Sequence, residues 1–582
     1  MPDLLNTSLT GMLAFQRALE VTGHNIANAN TPGYSRQVVD FSTRIGGGSQ
    51  QNYIGGGVQI QTIERMYDGL LVDQLRGAAS AQSRFGALDS LAGRVDSLLA
   101  DADTGLSTGL QGFFNAIQDV SNDPGSLSIR QALLGEADGI AARFRALDDR
   151  LGSLEGEVNQ RVGLAVDEIN RLAEAIAEVN DKVAIAGVGA QPNDLLDQRD
   201  QLLLDLSGLI SVSTVMQDDG AMNIFIGNGQ SLVLGNNVQR LDIRSSEFEP
   251  TRLSVVYEGT SGTTPLDDSL SGGTLGGLLE FRSRMLDASR QALGQTAVTF
   301  ANQLNEQHRQ GMDLRGELGG DLFTIAPPSI LYSTGNIGSG TATASVSDLG
   351  SFTGSDYVLE FDGAGYALTR ADTGAAVALT GSGTAGDPFV ADGIEIQVGG
   401  GFAAGDRVLI RTGHNAAGSI ESAITDPRAL ALAAPTRAEA SNANIGDATV
   451  SSTSVVDATD PTLLTSAVIE FTSPTSYSID GAGSFAYTEG EPIIVNGTAV
   501  TITGAPGAGD LFTIEANYGA SGDNSNGLLL ADVQSAGLLV GGTISIHESY
   551  SRLVSSVGAT THQIEGSLDA QGVVLSKAGA AV

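Results

Sequence analysis

Large hydrophobic side chains near the start of the chain recur every seven residues. This spacing is typical of a coiled-coil seam, because a helix with the ordinary period of 3.6 residues would turn such positions away from one face. The pattern predicts a helix over residues 4–27. Gln16 and Gly23 weaken its companion row, so we expect the helix to need a partner helix. We call these positions the seam; they are Leu5, Leu9, Met12, Leu19 and Ile26.

A polar segment that cannot continue the helix follows directly. Pro32 disfavours helical geometry at Thr31, and Gly33 permits a turn. Residues 41–63 then have the pattern of extended chain around two glycine clusters, which predicts a hairpin. We call the turn positions the turn motif; they are Asn28, Asn30, Thr31, Pro32, Gly33 and Tyr34.

The strongest helical pattern in the chain lies between Ile140 and Val183. Apolar residues at alternating steps of four and three predict one helix of about 45 residues, far longer than a typical globular helix. Such a helix indicates an elongated, rod-like domain; the alternative is a helix in a compact bundle. Shorter helices are predicted over 194–206, with Asn193 as N-cap, and over 275–308. The stripe consists of Ile140, Phe144, Leu147, Leu151, Leu154, Val158, Val162, Ala165, Ile169, Leu172, Ile176, Val179 and Val183.

Residues 330–517 have a different character from the helical part. Ser, Thr, Gly and Ala dominate, and short alternating segments between Gly/Asp turns predict an all-β region. An internal repeat at a constant offset predicts two related β modules. The paired segments are 392–398 with 496–502 and 404–410 with 508–514, preceded by Asp-Gly-Ala-Gly at 362–365 and 480–483.

Helical periodicity returns near the C-terminus, where Leu553, Val557, Ile564, Leu568 and Leu575 are spaced to form a second apolar row. We therefore predict a multidomain α+β protein, in which an elongated helical coiled-coil or bundle domain is built from N- and C-terminal segments and all-β modules are inserted. The predicted domains are 1–62, a helix and extended segment disordered in the monomer; 63–329 with 518–582, a long-helix rod domain with a small β-hairpin region; 330–415, β module 1; and 416–517, a linker helix and β module 2.

Composition and charge exclude several classes of function. With 30 basic and 67 acidic residues the net charge is −37, which argues against nucleic acid and anionic membrane surfaces as partners. No apolar run is long enough to insert into a membrane. The chain has no cysteine and five histidines, none in a metal-binding motif, and no nucleophile elbow. We therefore expect no catalytic site, metal or cofactor, and no enzyme activity. Few aromatics and 76 glycines predict many turns and no dense aromatic core.

The turn motif, followed by Tyr34-Ser35-Arg36-Gln37, closely resembles the N-terminal signature of the flagellar axial family of rod, hook and hook-associated proteins. Other segments resemble the hook-associated members in particular, and together the matches cover most of the chain. These segments are 193–200, 305–308 with 311–314, 425–428, 522–526 with 528–531, and 550–554 with 557–558.

The resemblance implies a structural protein that is exported by the flagellar type III apparatus, is located on the extracellular flagellum, and assembles into a ring on the distal end of the hook, at the hook–filament junction. The implied partners are further copies of the chain, the hook protein and the next junction protein on the filament side. In this reading the seam is the assembly interface. Family members continue into a longer C-terminal helix, the site of an export chaperone. This chain ends at Val582, so we expect that tail, and the partner it gives the seam, to be missing.

Two other functions stay open at this point. A rod or hook protein of the same family would share the N-terminal motif but is not expected to carry the 193–200 segment. A secreted adhesin could use repeated Gly/Thr-rich β modules to bind surface glycan, although the N-terminal motif argues against it.

Overall fold

The computed structural model describes residues 2–45, 56–103, 105–186, 192–259, 262–539 and 541–581. The fold divides into two compact units. The first unit comprises Met1–Arg94, Leu154–Leu286 and Gly558–Val582, and the second unit comprises Val95–Ser153 and Asp287–Val557. The predicted division into 1–62, 63–329 with 518–582, 330–415 and 416–517 is finer than these two units, and its boundaries stay predictions.

Long helices make up most of the structure outside the β modules. The predicted multidomain α+β class is confirmed, since helices and antiparallel sheets alternate along the chain. The helices are α1 (Pro2–Ala27), α2 (Gly69–Ala100), α3 (Leu106–Asn122), α4 (Leu127–Ala186), α5 (Asn193–Leu209), α6 (Gly273–Phe281), α7 (Asp287–Arg309), α8 (Ala416–Ser419), α9 (Ser525–Asp532) and α10 (Ile546–Ala581).

The strands before the β modules form small antiparallel sheets in the first unit. The sheet orders are β1-β2, β3-β4-β5-β6 and β7-β8-β9. These strands are β1 (Gln37–Thr43), β2 (Val58–Arg65), β3 (Val212–Met216), β4 (Met222–Ile226), β5 (Gln230–Leu234), β6 (Asn237–Val238), β7 (Leu241–Ser245), β8 (Leu253–Gly259) and β9 (Gly262–Pro265). β1 and β2 form the predicted hairpin; most of its glycine clusters lie outside the described residues.

The predicted long helix is present and is longer than its pattern. α4 has 60 residues, and every residue of the predicted stripe is buried. The burial continues toward the N-terminus through Leu133, Leu134 and Ala137, which the alternating pattern did not include. A buried stripe explains the helix better than its intrinsic propensity does, because most helical stability in proteins comes from packing of an apolar face.

The core of the helical part of the second unit contradicts the expectation of no dense aromatic packing. Five phenylalanines from α3, α4, α7 and the chain after α7 pack together, with neighbouring ring centroids 5.0–6.5 Å apart. Composition could not reveal this, because a low average does not say where the few rings lie. The rings are Phe113, Phe114, Phe144, Phe300 and Phe323.

Two β modules of the same topology lie in the second unit and confirm the internal repeat. The first has the sheets β11-β18-β13-β14-β15 and β12-β17-β16, and the second has β20-β27-β22-β23-β24 and β21-β26-β25. The remaining strands are β10 (Phe323–Thr324), β11 (Ser329–Tyr332), β12 (Ala342–Val346), β13 (Tyr357–Phe361), β14 (Tyr366–Arg370), β15 (Ala376–Val377), β16 (Phe389–Ala391), β17 (Ile394–Val398), β18 (Arg407–Arg411), β19 (Glu421–Ser422), β20 (Thr436–Ala440), β21 (Thr449–Val455), β22 (Ala467–Ser473), β23 (Ser476–Ile479), β24 (Ala482–Ala486), β25 (Pro492–Val495), β26 (Thr498–Thr503) and β27 (Leu511–Ala516).

The Asp-Gly-Ala-Gly segments are not equivalent parts of the repeat, which corrects their pairing. Residues 362–365 join the first two strands of the β13-β14-β15 meander, whereas 480–483 lie at the turn between β23 and β24. The four-residue pattern suits a tight turn wherever one is needed.

The predicted helix over 275–308 is interrupted. α6 passes into a π-helical turn at Arg282–Leu286 before α7 begins. Arg282 is buried in this turn and donates to the carbonyl of Leu253 and the carboxylate of Asp267. Hydrophobic periodicity does not report such a turn, since its cause is a polar contact.

Candidate functional site

Helix α1 has two opposite faces of different character. One face packs on the β1–β2 hairpin and buries small side chains, among them Ala14 and Val21. The other face carries the seam, whose five side chains are 48–73% exposed. A row of large apolar side chains in water is unfavourable by roughly 25 cal/mol for each Å² left unburied. The described part of the chain therefore leaves the seam available to a partner, as a coiled-coil pattern requires.

The turn motif folds back on the end of α1. The Asn28 carbonyl accepts from the Thr31 amide at 2.9 Å, the Thr31 carbonyl accepts from the Tyr34 amide at 3.2 Å, and Gly33 adopts a φ of +78°. Asn30 and Pro32 are exposed and make no part of these contacts. The result is a compact reversal that directs the chain from α1 into β1.

Tyr34 fixes this reversal to the helix. Its hydroxyl donates to Asn25 Oδ1 at 2.7 Å and lies 2.9 Å from His24 Nδ1. The same Asn25 Oδ1 accepts from the backbone amide of Gln37. Burial, with a smaller contribution from Asp194 and Asp197, raises the pKa of Tyr34, so the hydroxyl keeps the proton that it donates.

Three carboxylates on α5, which we call the clamp, hold both ends of the β1–β2 hairpin. Asp197 accepts from the Ser35 amide at 3.0 Å and from Arg65 Nη1 at 2.9 Å, and Asp200 accepts from the same Nη1 at 2.6 Å. Asp194 accepts from the side chain of Gln37. The Arg65 side chain is only 7% exposed, so these charge-assisted bonds are shielded from water.

Asn193 corrects the predicted N-cap. It is the first residue of α5 rather than the residue before it, and its side chain does not cap the helix. Its amide instead donates to the carbonyl of Ile63 in β2 at 2.9 Å. Asn193 and the three clamp carboxylates thus all bind the hairpin, a tertiary role that a capping pattern cannot distinguish.

The structure joins two segments that the sequence could only name separately. The turn motif and the 193–200 segment are far apart in sequence and meet through Ser35 and Gln37. Arg65 was not a candidate, because a lone arginine at the end of a strand gives no signal of its own. The seam lies along α1, and the turn motif follows directly after the end of this helix.

Three of the other matching segments meet in the second unit, where the Leu314 amide donates to the Arg428 carbonyl at 3.1 Å and the Gln307 side chain donates to Asn526 at 2.7 Å. His308 is fully buried between the Gly320 carbonyl, 2.7 Å from Nδ1, and the Ala431 amide, which donates to Nε2 at 2.9 Å. Asn526 donates to the Ala431 carbonyl and accepts from Gln307. Burial lowers the pKa of His308, because the charged imidazolium is disfavoured away from water, and the neutral ring can accept the Ala431 hydrogen bond at Nε2. These contacts stabilise the fold.

Within the described ranges, the structure has neither a metal-binding cluster nor a membrane-spanning helix. No group of three or more His, Asp and Glu side chains there could hold a metal ion. None of the helices there is both long and apolar enough to cross a membrane.

Comparison with known proteins finds three protein-family models that match parts of this chain. The chain matches the models for "Flagella basal body rod protein" at 5–34, "Flagellar hook-associated protein FlgK helical domain" at 92–323 and "Flagellar hook-associated protein 1, D2-like domain" at 331–412. The first match covers α1 with the turn motif, and the last covers β module 1.

Similar proteins include flagellar hook-associated protein 1 of Escherichia coli, 34% identical over 74% of this chain and 80% of that protein, and of Salmonella typhimurium, 35% identical over 75% and 80%. The structure is similar to that of the flagellar hook junction protein FlgK from Burkholderia pseudomallei. That match has a TM-score of 0.80 and 28% identity, and it covers 88% of this chain and 99% of that one. By these relationships the chain belongs to the flagellar hook-associated protein 1 family.

Proposed function

We propose that this protein is a structural component of the extracellular bacterial flagellum that forms the hook–filament junction. Family membership supports the location, since the relatives carry the name hook-associated protein and the related structure is titled a hook junction protein. The observation that carries the mechanism is the exposed seam of α1, opposite the face that packs on the β1–β2 hairpin.

In the proposed mechanism, assembly buries the seam. Each large apolar side chain that passes from water into a helix–helix contact contributes roughly 1.5–3 kcal/mol, less the part already covered. Five such side chains on one face are enough to hold a helix that is marginal alone. The interface residues are Leu5, Leu9, Met12, Leu19 and Ile26.

The clamp has a supporting role in this proposal. Asp197 and Asp200 fix Arg65 and Ser35, and the hairpin between these two residues carries the packed face of α1. A fixed hairpin sets the direction in which the seam points. Residues 1–62, which we expect to order on docking, take up this arrangement in the assembled protein.

The proposed partners are further copies of the chain in a ring, the hook protein, and the next junction protein on the filament side. Contacts between identical subunits in a ring are heterologous, with one surface meeting a different surface of the neighbour. Export through the flagellar type III apparatus completes the proposal. We expect no catalytic activity.

Gold-label electron microscopy of purified flagella tests the location. Antibody against residues 330–517 should label a single narrow band between hook and filament. Label along the whole hook or rod would instead favour a rod or hook protein. Label absent from flagella would contradict the assembly function, and glycan binding by residues 330–517 would then support the adhesin.

A further inference from the structure

Both β modules present one isoleucine to water from the same loop. Ile337 follows β11 and is 84% exposed; Ile445 follows β20, the equivalent strand of the second module, and is 80% exposed. The loops have the same sequence pattern, Ser-x-x-Asn-Ile-Gly, at 333–338 and 441–446. We call them the isoleucine loops.

A buried carboxylate fixes each loop from inside. Asp406 accepts from the amides of Ile337 at 2.9 Å and Ala403 at 2.7 Å. Asp510 accepts from the amides of Ile445 and Gly507, both at 2.7 Å. Both aspartates are almost fully buried, so the hydrogen bonds that hold them are protected from water.

The asparagine before each isoleucine forms a second attachment. Asn336 exchanges two hydrogen bonds with the backbone of Arg407, each 2.8 Å long. Asn444 makes the same pair with Leu511, at 2.9 and 2.8 Å. The isoleucine is therefore held by fixed contacts on both sides.

The fold uses only the backbone of the isoleucine in these attachments. Any residue with an amide N–H would satisfy the aspartate equally well, and a polar side chain would suit a position that is more than three-quarters exposed. A single exposed hydrophobic residue is ordinary on protein surfaces. Two at the equivalent position of a repeated module, each on a doubly fixed loop, point to a contact that the free chain does not make.

The loops lie at the ends of the modules away from the helices of the second unit. Asn336 binds the first residue of β18, whereas the chain beyond the other end of β18 packs on α7, where Gly294 meets Gly413. In module 2, the chain beyond β27 is tied near α9 through Asn517 and Asp523. The isoleucines are therefore available to whatever lies beyond these module ends.

We propose that Ile337 and Ile445 are lateral contact points between neighbouring copies of this chain. The proposal rests on the ring assembly proposed above. The chain also supplies a receiving surface, because Ile494 in β25 and Val456, the residue after β21, are 63% and 55% exposed. Copies that each carry a net charge of −37 repel one another, so an uncharged apolar contact is the kind that can form between them.

One isoleucine is a far smaller contact than the roughly 800 Å² per partner that a stable interface buries. The contact therefore forms only where the seam has already placed subunits side by side, and purified monomers should not associate through it. In a ring, each further contact forms between subunits that are already held together, so it forms as readily as a contact within one molecule.

Site-specific cross-linking tests the proposal in the assembled flagellum. The chain has no cysteine, so Ile337→Cys and Ile445→Cys each carry one thiol, to which a benzophenone maleimide is attached. In flagella from cells whose own copy is replaced, irradiation should give a product of twice 59.5 kDa that antibody to this chain recognises. Thr373→Cys, on an exposed turn of module 1, should not give this product.

The outcomes separate this proposal from the proposed function. A junction band in electron micrographs without the cross-linked dimer, or with a product of another mass, overturns the isoleucine contact and leaves the function standing. Absence of the junction band from flagella that carry the unmodified protein overturns the proposed function. The full-length double variant Ile337→Ser and Ile445→Ser should keep its melting temperature within about 2 °C, as surface substitutions do. A larger fall would show that the isoleucines stabilise the fold, and would overturn the proposal.

Discussion

Helices α1 and α4 carry similar rows of apolar residues, but the row of α4 is buried and the row of α1 is exposed to water. In α4 every residue of the row is at most 6% exposed, whereas in α1 the seam residues are at least 48% exposed. A heptad-like row predicts a helix with a preferred face, but it does not say whether the covering partner comes from the same chain. For α1, the described residues bury the small-residue face and leave the seam exposed to water.

A charged residue in the buried row of α4 should have the largest effect on stability of the substitutions that separate the two helices. Leu172→Asp in α4 places an unpaired carboxylate at a buried position and should cost more than about 4–5 kcal/mol in unfolding free energy, or abolish folding. Chemical denaturation of the purified protein measures this. A stable Leu172→Asp variant would show that α4 does not rely on its stripe.

Removal of Arg65, the arginine that the clamp carboxylates bind, should have the next largest effect on stability, confined to the N-terminal segment. Arg65→Gln leaves Asp197 and Asp200 buried without their ion pair, a change worth about 3–5 kcal/mol in similar pairs. Hydrogen exchange at the β1–β2 amides should accelerate while exchange in α4 stays unchanged. Arg171→Gln breaks an exposed pair with Glu168 and is the matched control, expected to change little. Equal acceleration in both variants would contradict the role of the clamp.

Acid should weaken the second unit through His308. Burial lowers the pKa of His308 in the folded protein, so the unfolded chain takes up the proton first. The stabilisation is complete above the unfolded pKa near 6.5 and is lost as pH falls through the lower folded pKa. The melting temperature should therefore fall between about pH 7 and 5, where only histidine ordinarily titrates. In His308→Gln the fall should be shallower, and an equally steep fall would place its cause elsewhere.

A charge in the seam should have the smallest effect on stability and a decisive effect on assembly. Leu19→Asp changes a side chain that is 72% exposed, so its unfolding free energy should stay within about 0.5 kcal/mol of the parent. Electron microscopy of cells carrying the variant should show hooks without the junction band. Normal junctions would exclude the seam as the assembly interface.

The helical part of the fold was largely predictable, because its signals are local and periodic. The stripe of α4 and the sheets of the two modules follow from the spacing of apolar residues and from the repeat. The π-helical turn at Arg282 and the non-equivalent Asp-Gly-Ala-Gly turns were missed, since polar contacts and turn position have no period.

The candidate site was predictable in its residues but not in its geometry. The turn motif and the 193–200 segment were found by resemblance, whereas their contact through Ser35 depends on tertiary placement. Arg65 and the capping role assigned to Asn193 show the same limit. A single side chain that binds a distant element has no neighbour in sequence to announce it.

One carboxylate, Asp197, binds the chain just before β1 and again at the last residue of β2. The segment between Ser35 and Arg65 is therefore a loop closed at its base by a non-covalent link. The entropy of closing a flexible loop grows only with the logarithm of its length, by about 0.6 kcal/mol for each doubling. The cost of closing this base therefore depends only weakly on how many residues lie between Ser35 and Arg65. Asp197 thus acts as a non-covalent cross-link at the base of the hairpin, in a chain that has no cysteine to form a disulfide there.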